Sequence, residues 1–65
     1  MDIGSRIRFY RKVRGLTQAQ LAACLRMAAP QLSRYETGVS HPSLLVLARI
    51  ARSLGVSVSD FFYGK

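Results

Sequence analysis

The stretch LTQAQLAACLRMAAPQLSRYETG, from Leu16 to Gly38, decides the fold, because its pattern predicts two short helices joined by a tight turn. Thr17 is a suitable N-cap for the first helix of this pair, since its hydroxyl can accept a hydrogen bond from a first-turn amide. Gln20 stands at the capping-box position that follows such a cap. Apolar side chains recur at one-turn spacing until Leu25, which predicts that the turn comes next.

The second helix of the pair is predicted over about residues 28–37. Pro30 lies in its first turn, where proline is tolerated because the amides there have no partner within the helix. Leu32 and Tyr35 supply a buried face at helical spacing. Gly38 is the expected left-handed C-cap, so the helix should end there.

Length and charge limit the possible partners. The chain has 65 residues, which predicts a single domain over residues 1–65 with a small core. It carries 10 Lys and Arg against 3 Asp and Glu, and the formal net charge of +7 favours a polyanionic partner. Charge alone leaves open nucleic acid, acidic proteins and anionic membranes. Hydrophobic residues make up 49% of the chain, so a folded core is expected rather than a disordered basic tail.

Several classes of protein are disfavoured. No apolar run approaches the roughly 18 to 20 residues that cross a bilayer, and no signal-peptide pattern opens the chain, so we expect a cytoplasmic protein without a membrane partner. Cys24 is the only cysteine, which excludes an internal disulfide and a multi-cysteine metal site. His41 shows neither metal nor triad spacing, and neither Asp2 nor Asp60 lies in a catalytic motif. We therefore expect no enzyme activity, no metal and no cofactor.

Three further helices fit the rest of the chain. One runs from about Ile3 to Arg14 and ends at the following glycine. Another starts at Ser43, and its apolar residues repeat at helical spacing until Gly55. A last short helix follows Ser57 as N-cap, with Asp60 at its capping-box position. Strand signals are weak throughout, so the predicted fold class is all-α with five helices.

Three spaced segments, LTQAQLA, LSRYETG and HPSLLVLARIARSLGVSVSDFF, together resemble the Xre/Cro family of helix-turn-helix DNA-binding domains, the class of the phage lambda-type repressors. The resemblance covers essentially the whole chain. It implies a compact, lambda-repressor-like five-helix domain that regulates transcription by binding a pseudo-palindromic operator in double-stranded DNA as a homodimer. The third helix, about residues 28–37, would lie in the major groove, and the protein would be associated with the nucleoid.

Two residues depart from the usual pattern of the family. Arg26 stands in the turn where the family usually has glycine, so this turn must adopt a left-handed conformation at some energetic cost or be arranged differently. Ala28 replaces the usual serine cap of the third helix, so the amides there need phosphate, water or another side chain.

Candidate DNA contacts fall into two sets. Phosphates are held by amides at helix N-termini and by short polar or basic side chains, which fix register without reading sequence. The positions that the resemblance assigns to this role are Thr17, Gln18, Thr37, Ser40 and His41. Base edges need side chains on the outward face of the third helix near its start. The candidates for base contact are Ala29, Pro30, Gln31 and Arg34.

Several of these residues have more than one interpretation. Thr17 serves as a cap whether or not its helix faces phosphate, and His41 is equally well explained as an exposed loop side chain. Arg34 is able to chelate guanine and Gln31 adenine, with a phosphate as the alternative partner of Arg34. The remaining two base candidates offer only apolar contact to a thymine methyl.

The family commonly pairs an arginine of the first helix with an acid of the third, and the matching residues here are Arg11 and Glu36. The resemblance implies a bidentate ion pair that ties the two helices together. The first helix also carries Arg6, Arg8, Lys12 and Arg14. We expect all of these but Arg8 to lie on a solvated face, while their summed charge steers association with DNA.

Apolar side chains on the fourth helix and near the C-terminus exceed what the small core requires. They are Leu45, Phe62 and Tyr63. An aromatic tail that folds back on the first helix, where Phe9 and Val13 need cover, is one way to bury them. We favour the other, a homodimer interface, because two half-sites give an operator-reading domain adequate affinity.

Two functions from different classes remain. The first is a sequence-specific DNA-binding regulator, such as a phage-type repressor, a controller of a restriction system or an autoregulating antitoxin. The second is a protein-interaction module that keeps the fold but binds DNA weakly or without specificity, as the missing cap and the few polar residues of the third helix suggest. A steep salt dependence with sequence preference favours the first, and weak, equal binding to all duplexes favours the second.

Overall fold

The computed structural model describes residues 2–63 and folds them into five helices. In chain order these are α1 (Ile3–Val13), α2 (Gln18–Leu25), α3 (Ala29–Thr37), α4 (Leu44–Leu54) and α5 (Asp60–Tyr63). No strand occurs within residues 2–63, so the predicted all-α, five-helix fold is confirmed. The bounds agree closely with the predicted ones, except at the start of α5.

All five helices contribute to one buried apolar cluster. Its members are Ile7, Leu21, Ala22, Leu25, Leu32, Leu47, Ile50, Ala51, Leu54 and Phe61. α3 packs against α1 and α2, α4 packs against the same two helices, and α5 packs against α1. α3 is therefore held from two sides, and its remaining surface faces outward.

Side-chain caps begin three of the helices. The predicted capping box of α2 is complete, because the Thr17 hydroxyl accepts from the Gln20 amide at 3.1 Å and the Gln20 side-chain oxygen accepts from the Thr17 amide at 2.8 Å. Ser43, at the predicted start of the fourth helix, caps α4 through its hydroxyl. Asp2 caps α1 by accepting from the Ser5 amide at 2.7 Å, and this bond lowers the pKa of Asp2 from its usual value. Each cap satisfies an amide that would otherwise have no partner.

The start of α5 differs from the prediction. Ser57 is not the N-cap of this helix, because α5 begins only at Asp60. The Ser57 hydroxyl lies 2.7 Å from the Ser59 hydroxyl rather than on an amide of α5. Only the reciprocal half of the predicted box is present, with the Asp60 carboxylate accepting from the Ser57 amide at 3.0 Å. The intervening residues form a tight turn instead, in which each carbonyl accepts from an amide three residues on.

The turn between α2 and α3 adopts the left-handed conformation. Arg26 has φ 57° and ψ 43°, and it is the one non-glycine residue with positive φ in the described part of the chain. Crowding at Cβ makes this region unfavourable by roughly 1–2 kcal/mol. Arg49 of α4 supports the turn, because its Nη2 donates to the Leu25 carbonyl at 2.7 Å. This tertiary contact thus helps to stabilise the strained conformation of Arg26.

α1 and α3 approach so closely that Gly4 has no room for a side chain. A Cβ at Gly4 would lie 2.5 Å from the carbonyl oxygen of Tyr35 and 2.6 Å from that of Glu36, both in the backbone of α3. Only glycine permits two helix backbones to come this near without displacing one of them. We call this contact, together with the ion pair described next, the α1–α3 seam.

Arg11 and Glu36 form a buried, bidentate ion pair across the seam. Arg11 Nε donates to Glu36 Oε2 at 2.7 Å, and Arg11 Nη2 donates to Oε1 at 3.1 Å. The two side chains are only 9% and 2% exposed. Arg11 Nη1 also donates to the Leu16 carbonyl at 2.7 Å. The pair therefore links α1, α3 and the connection that leads into α2, with its buried charges satisfied by hydrogen bonds.

The strain at Arg26 is testable with two substitutions that remove the same charge. Arg26→Gly should be more stable than Arg26→Ala by about 1 kcal/mol, because only glycine relieves the left-handed strain, after allowance for the freer unfolded chain. Chemical denaturation of the two variants measures the difference. Equal stabilities, or a more stable alanine variant, would contradict the account of this turn.

The ion pair is testable by a double-mutant cycle. Arg11→Ala and Glu36→Ala should each lower the free energy of unfolding by about 3–5 kcal/mol, because each leaves a buried charge without its partner. The double variant should lose clearly less than the sum of the two. Thermal and denaturant unfolding of the four proteins provide the cycle, and strict additivity would remove the pair from the account.

Candidate nucleic-acid interface

The outward face of α3 carries the candidates for base contact. Arg34 and Pro30 are exposed, and Gln31 is half-buried. Arg34 Nη1 donates to Gln31 Oε1 at 3.4 Å, so the structure brings these two side chains together. Ala29 is also half-buried, but it packs against the apolar core. The polar part of this face is therefore formed by Gln31 and Arg34.

The start of α3 offers few free donors. Ala28 makes no side-chain cap bond, as expected for a methyl side chain. Pro30 has no N–H, and the Gln31 amide donates to the Ala28 carbonyl at 3.0 Å. Of the first three residues of α3, Ala29 alone is left with an amide that has no partner within the helix.

The start of α2 has more hydrogen-bond donors available than the start of α3. The Thr17 hydroxyl accepts a hydrogen bond from within the helix, so its own hydrogen remains for an acceptor outside. The first amides of α2, beginning with that of Gln18, have no intrahelical partner. Gln18 Nε2 donates to Glu36 Oε1 at 3.1 Å, which leaves the second N–H of its amide for a further contact. Gln18 thereby joins α2 to the ion pair of the seam.

Three candidates for phosphate contact lie beyond α3. The Thr37 hydroxyl donates to the Ser33 carbonyl at 3.0 Å, so it must release that bond before it can donate to a phosphate. Ser40 is half-buried, and its amide donates to the Arg34 carbonyl at 3.2 Å. His41 is exposed, and it lines an open groove together with Thr37.

Part of the positive charge of α1 stabilises the fold. Arg14 is exposed, as predicted, and its Nε also donates to the Leu54 carbonyl at the end of α4, at 2.8 Å. The prediction of a solvated face is wrong for Arg6, which is half-buried with its Nε enclosed. Arg8 and Lys12 are exposed. The charge that α1 presents to solvent is therefore smaller than its composition suggests.

The residues predicted for a dimer interface are only partly described. Leu45 is 74% exposed and Phe62 is 49% exposed. The side chain of Tyr63 lies outside the described part of the structure. Phe61, which the sequence analysis did not single out, is the aromatic residue that folds back on α1, because it is 1% exposed and its ring meets that of Tyr10 edge-on at 6.0 Å.

Other kinds of site find no support within residues 2–63. No three side chains among His, Cys, Asp and Glu come together there as metal ligands would. In the same part of the chain, no helix has the length and apolar character needed to span a bilayer. Cys24 is a free, exposed thiol.

Comparisons with known proteins agree with this architecture. A family model described as helix-turn-helix matches residues 7–61. The competence pilus inhibition repressor of Acinetobacter baylyi is 39% identical over 62 residues, which cover 95% of this chain and 56% of the repressor. The chain spans about half the length of several curated relatives that it matches.

Two solved structures have nearly the same fold. The biofilm regulator SinR of Bacillus subtilis, in complex with DNA, has a TM-score of 0.87 and 34% identity, covering 94% of this chain and 98% of the SinR chain. The P22 c2 repressor, in complex with a synthetic operator, has a TM-score of 0.90 and 25% identity, covering 100% of this chain and 98% of that one.

The family match and the structural likeness lead to the same conclusion. The helix-turn-helix model covers more than half of the chain, and the named relatives are repressors and transcriptional regulators. The five-helix arrangement is that of the lambda-repressor-like domains. The chain therefore belongs to the helix-turn-helix family of the Xre and lambda-repressor type, a family of DNA-binding transcriptional regulators and not of enzymes.

Proposed function

We propose that the chain binds double-stranded DNA sequence-specifically, reading a pseudo-palindromic operator as a homodimer with α3 in the major groove. The observation that carries the proposal is the pairing of Gln31 and Arg34 on the outward face of α3, while Leu32 fixes the opposite face in the core. Arginine can read guanine and glutamine can read adenine in the major groove, each through two hydrogen bonds. SinR and the P22 c2 repressor, both similar to this chain, are in complex with DNA or an operator, which supports the same partner here.

Phosphate contacts on either side of α3 would set its register in the groove. We assign them to Thr17 and Gln18 at the start of α2, and to Thr37, Ser40 and His41 beyond α3. The amide of Gln18 has no intrahelical partner and the hydroxyl hydrogen of Thr17 is available, at a helix N-terminus where anions are favoured. The net charge of +7 supports steering toward DNA, and a DNA partner would place the protein with the nucleoid in the cytoplasm.

A protein-interaction module is the second candidate. The start of α3 favours it, because Ala28 lacks a capping side chain and Pro30 lacks an amide, so this end of the helix holds a phosphate poorly. Such a module would keep the fold and bind all duplexes weakly and alike.

Loss of a base contact and loss of a phosphate contact should have different effects on DNA binding. Gln31→Ala and Arg34→Ala should weaken binding to a selected operator by about 1–3 kcal/mol and binding to a scrambled duplex much less, because base contacts carry the sequence preference. Thr37→Val removes only a hydroxyl and should weaken both duplexes about equally. Its salt dependence should match that of the wild type, since no charge is lost.

The experiment is selection of bound duplexes from a random pool, followed by titrations of operator and scrambled duplex at several salt concentrations. An enriched palindrome supports the proposed regulator and gives the spacing of its half-sites. If no sequence is enriched, and Gln31→Ala lowers both affinities alike, the assignment of α3 as the recognition helix is wrong and the interaction module takes its place.

We expect the dimer to use the exposed Leu45 and the exposed part of Phe62, with Tyr63 next to it in the sequence. Leu45→Ser and Phe62→Ser should shift the protein toward monomer, because symmetric association buries apolar surface. Val39→Ser, at a residue beyond α3 that is 74% exposed like Leu45, is the matched control and should leave association unchanged. Sedimentation equilibrium, with circular dichroism to verify the helices, measures this. A wild-type protein that stays monomeric with and without operator would contradict the dimer.

A further inference from the structure

The contact between Arg34 and Gln31 determines which chemical groups this part of α3 presents. Arg34 Nη1 and Gln31 Oε1 are 3.4 Å apart, across one turn of the helix. A guanidinium carries only N–H donors, so it can bond a side-chain amide only through the oxygen of that amide. The reversed amide would set N–H against N–H. Gln31 therefore turns its NH2 group away from Arg34.

The surroundings of Arg34 leave this contact undisturbed. Glu36 is the one carboxylate of α3, and it would be a stronger acceptor for a guanidinium than an amide is. It is buried, however, and already accepts from Arg11 and Gln18. Arg34 is consequently not drawn away to Glu36, and it stays at the surface beside Gln31.

We propose that Gln31 and Arg34 act as one donor-only reading unit, which selects guanine over adenine at the position that faces Gln31. The proposal rests on the proposed placement of α3 in the major groove. It changes the expectation that Gln31 reads adenine, because that reading needs the amide oxygen and nitrogen side by side on the base edge.

The acceptors and donors on the base edges explain this selection. Guanine presents two neighbouring acceptors in the major groove, N7 and O6, so it can receive one N–H from Gln31 and one from Arg34. Adenine presents one acceptor, N7, beside an exocyclic amino group that is a donor, and cytosine presents only an amino group. Two donors that face each other in a desolvated interface leave both without a partner. With the oxygen of Gln31 engaged by Arg34, the two side chains therefore bond guanine twice and adenine only once.

Removal of Arg34 should change what Gln31 reads. In Arg34→Ala the amide of Gln31 is free to rotate, and both its oxygen and its nitrogen can face the base. The preferred base at this position should then change from guanine to adenine. Two residues that acted independently would show no such change, so the altered preference distinguishes a coupled unit from two separate contacts.

The test compares base preference in four proteins. Wild type, Gln31→Ala, Arg34→Ala and Arg52→Ala each select duplexes from a random pool, and the position facing Gln31 is the one whose preference disappears in Gln31→Ala. Arg52 is an exposed arginine of α4, so its loss controls for the change in charge. The four single-base versions of the selected operator are then titrated at low salt, where weakened variants still bind.

The wild type and Arg52→Ala should prefer guanine over adenine by about tenfold at this position, and Arg34→Ala should prefer adenine. An adenine preference in the wild type, or a guanine preference that persists in Arg34→Ala, would overturn the donor-only unit and leave the proposed regulator intact. Enrichment of no sequence by the wild type would overturn the proposed regulator itself. Circular dichroism of each variant verifies that the fold is retained.

Discussion

The α1–α3 seam sets the position of every side chain that we assign to base reading. Gly4 lets the two backbones meet, and the Arg11–Glu36 pair locks them in one register. Glu36 also accepts from Gln18, so a single buried carboxylate ties together α1, α2 and α3. A buried ion pair contributes little net stability over an apolar contact of the same shape, but it requires one defined geometry. Removal of one of its two partners strongly destabilises the fold. It suits a helix that must be held in a fixed orientation.

Arginines stabilise the C-terminal ends of two helices by bonding backbone carbonyls. Arg49 donates to the Leu25 carbonyl at the end of α2, and Arg14 donates to the Leu54 carbonyl at the end of α4. Both ends are followed by a residue in the left-handed conformation, Arg26 and Gly55 respectively. Part of the net positive charge thus also stabilises the fold, while both arginines are exposed and still contribute to the field that steers association with DNA.

Much of this fold could be predicted from local features of the sequence. The capping box of Thr17 and Gln20 and the helical spacing of apolar residues predicted most helix bounds, because caps and periodicity depend on neighbours in the chain. The wrong prediction at Ser57 also has a local cause, because its hydroxyl bonds the Ser59 hydroxyl and not an amide of α5. The pairing of Arg11 with Glu36 came from the family resemblance, as no spacing rule links residues so far apart.

The tertiary roles could not be predicted in this way. Arg14 and Arg49 bond to backbone carbonyls, which carry no side-chain signal. The need for glycine at Gly4 comes from the backbone of α3, and the choice of Phe61 over its neighbour for burial depends on the turn that precedes α5. The contact of Gln31 with Arg34 could have been predicted from their spacing of one helical turn. Its effect on base preference could be inferred only from the atoms that form the contact.

Hydrogen exchange of the α3 amides in Gly4→Ala, compared with Ser5→Ala, tests the seam most directly. Within an isolated helix, glycine to alanine is stabilising by roughly 1 kcal/mol. Here the new Cβ of Gly4→Ala would meet the α3 backbone, whereas Ser5 is exposed on the same helix. The account predicts a marked loss of α3 protection in Gly4→Ala and none in Ser5→Ala. Equal protection in the two variants would contradict it.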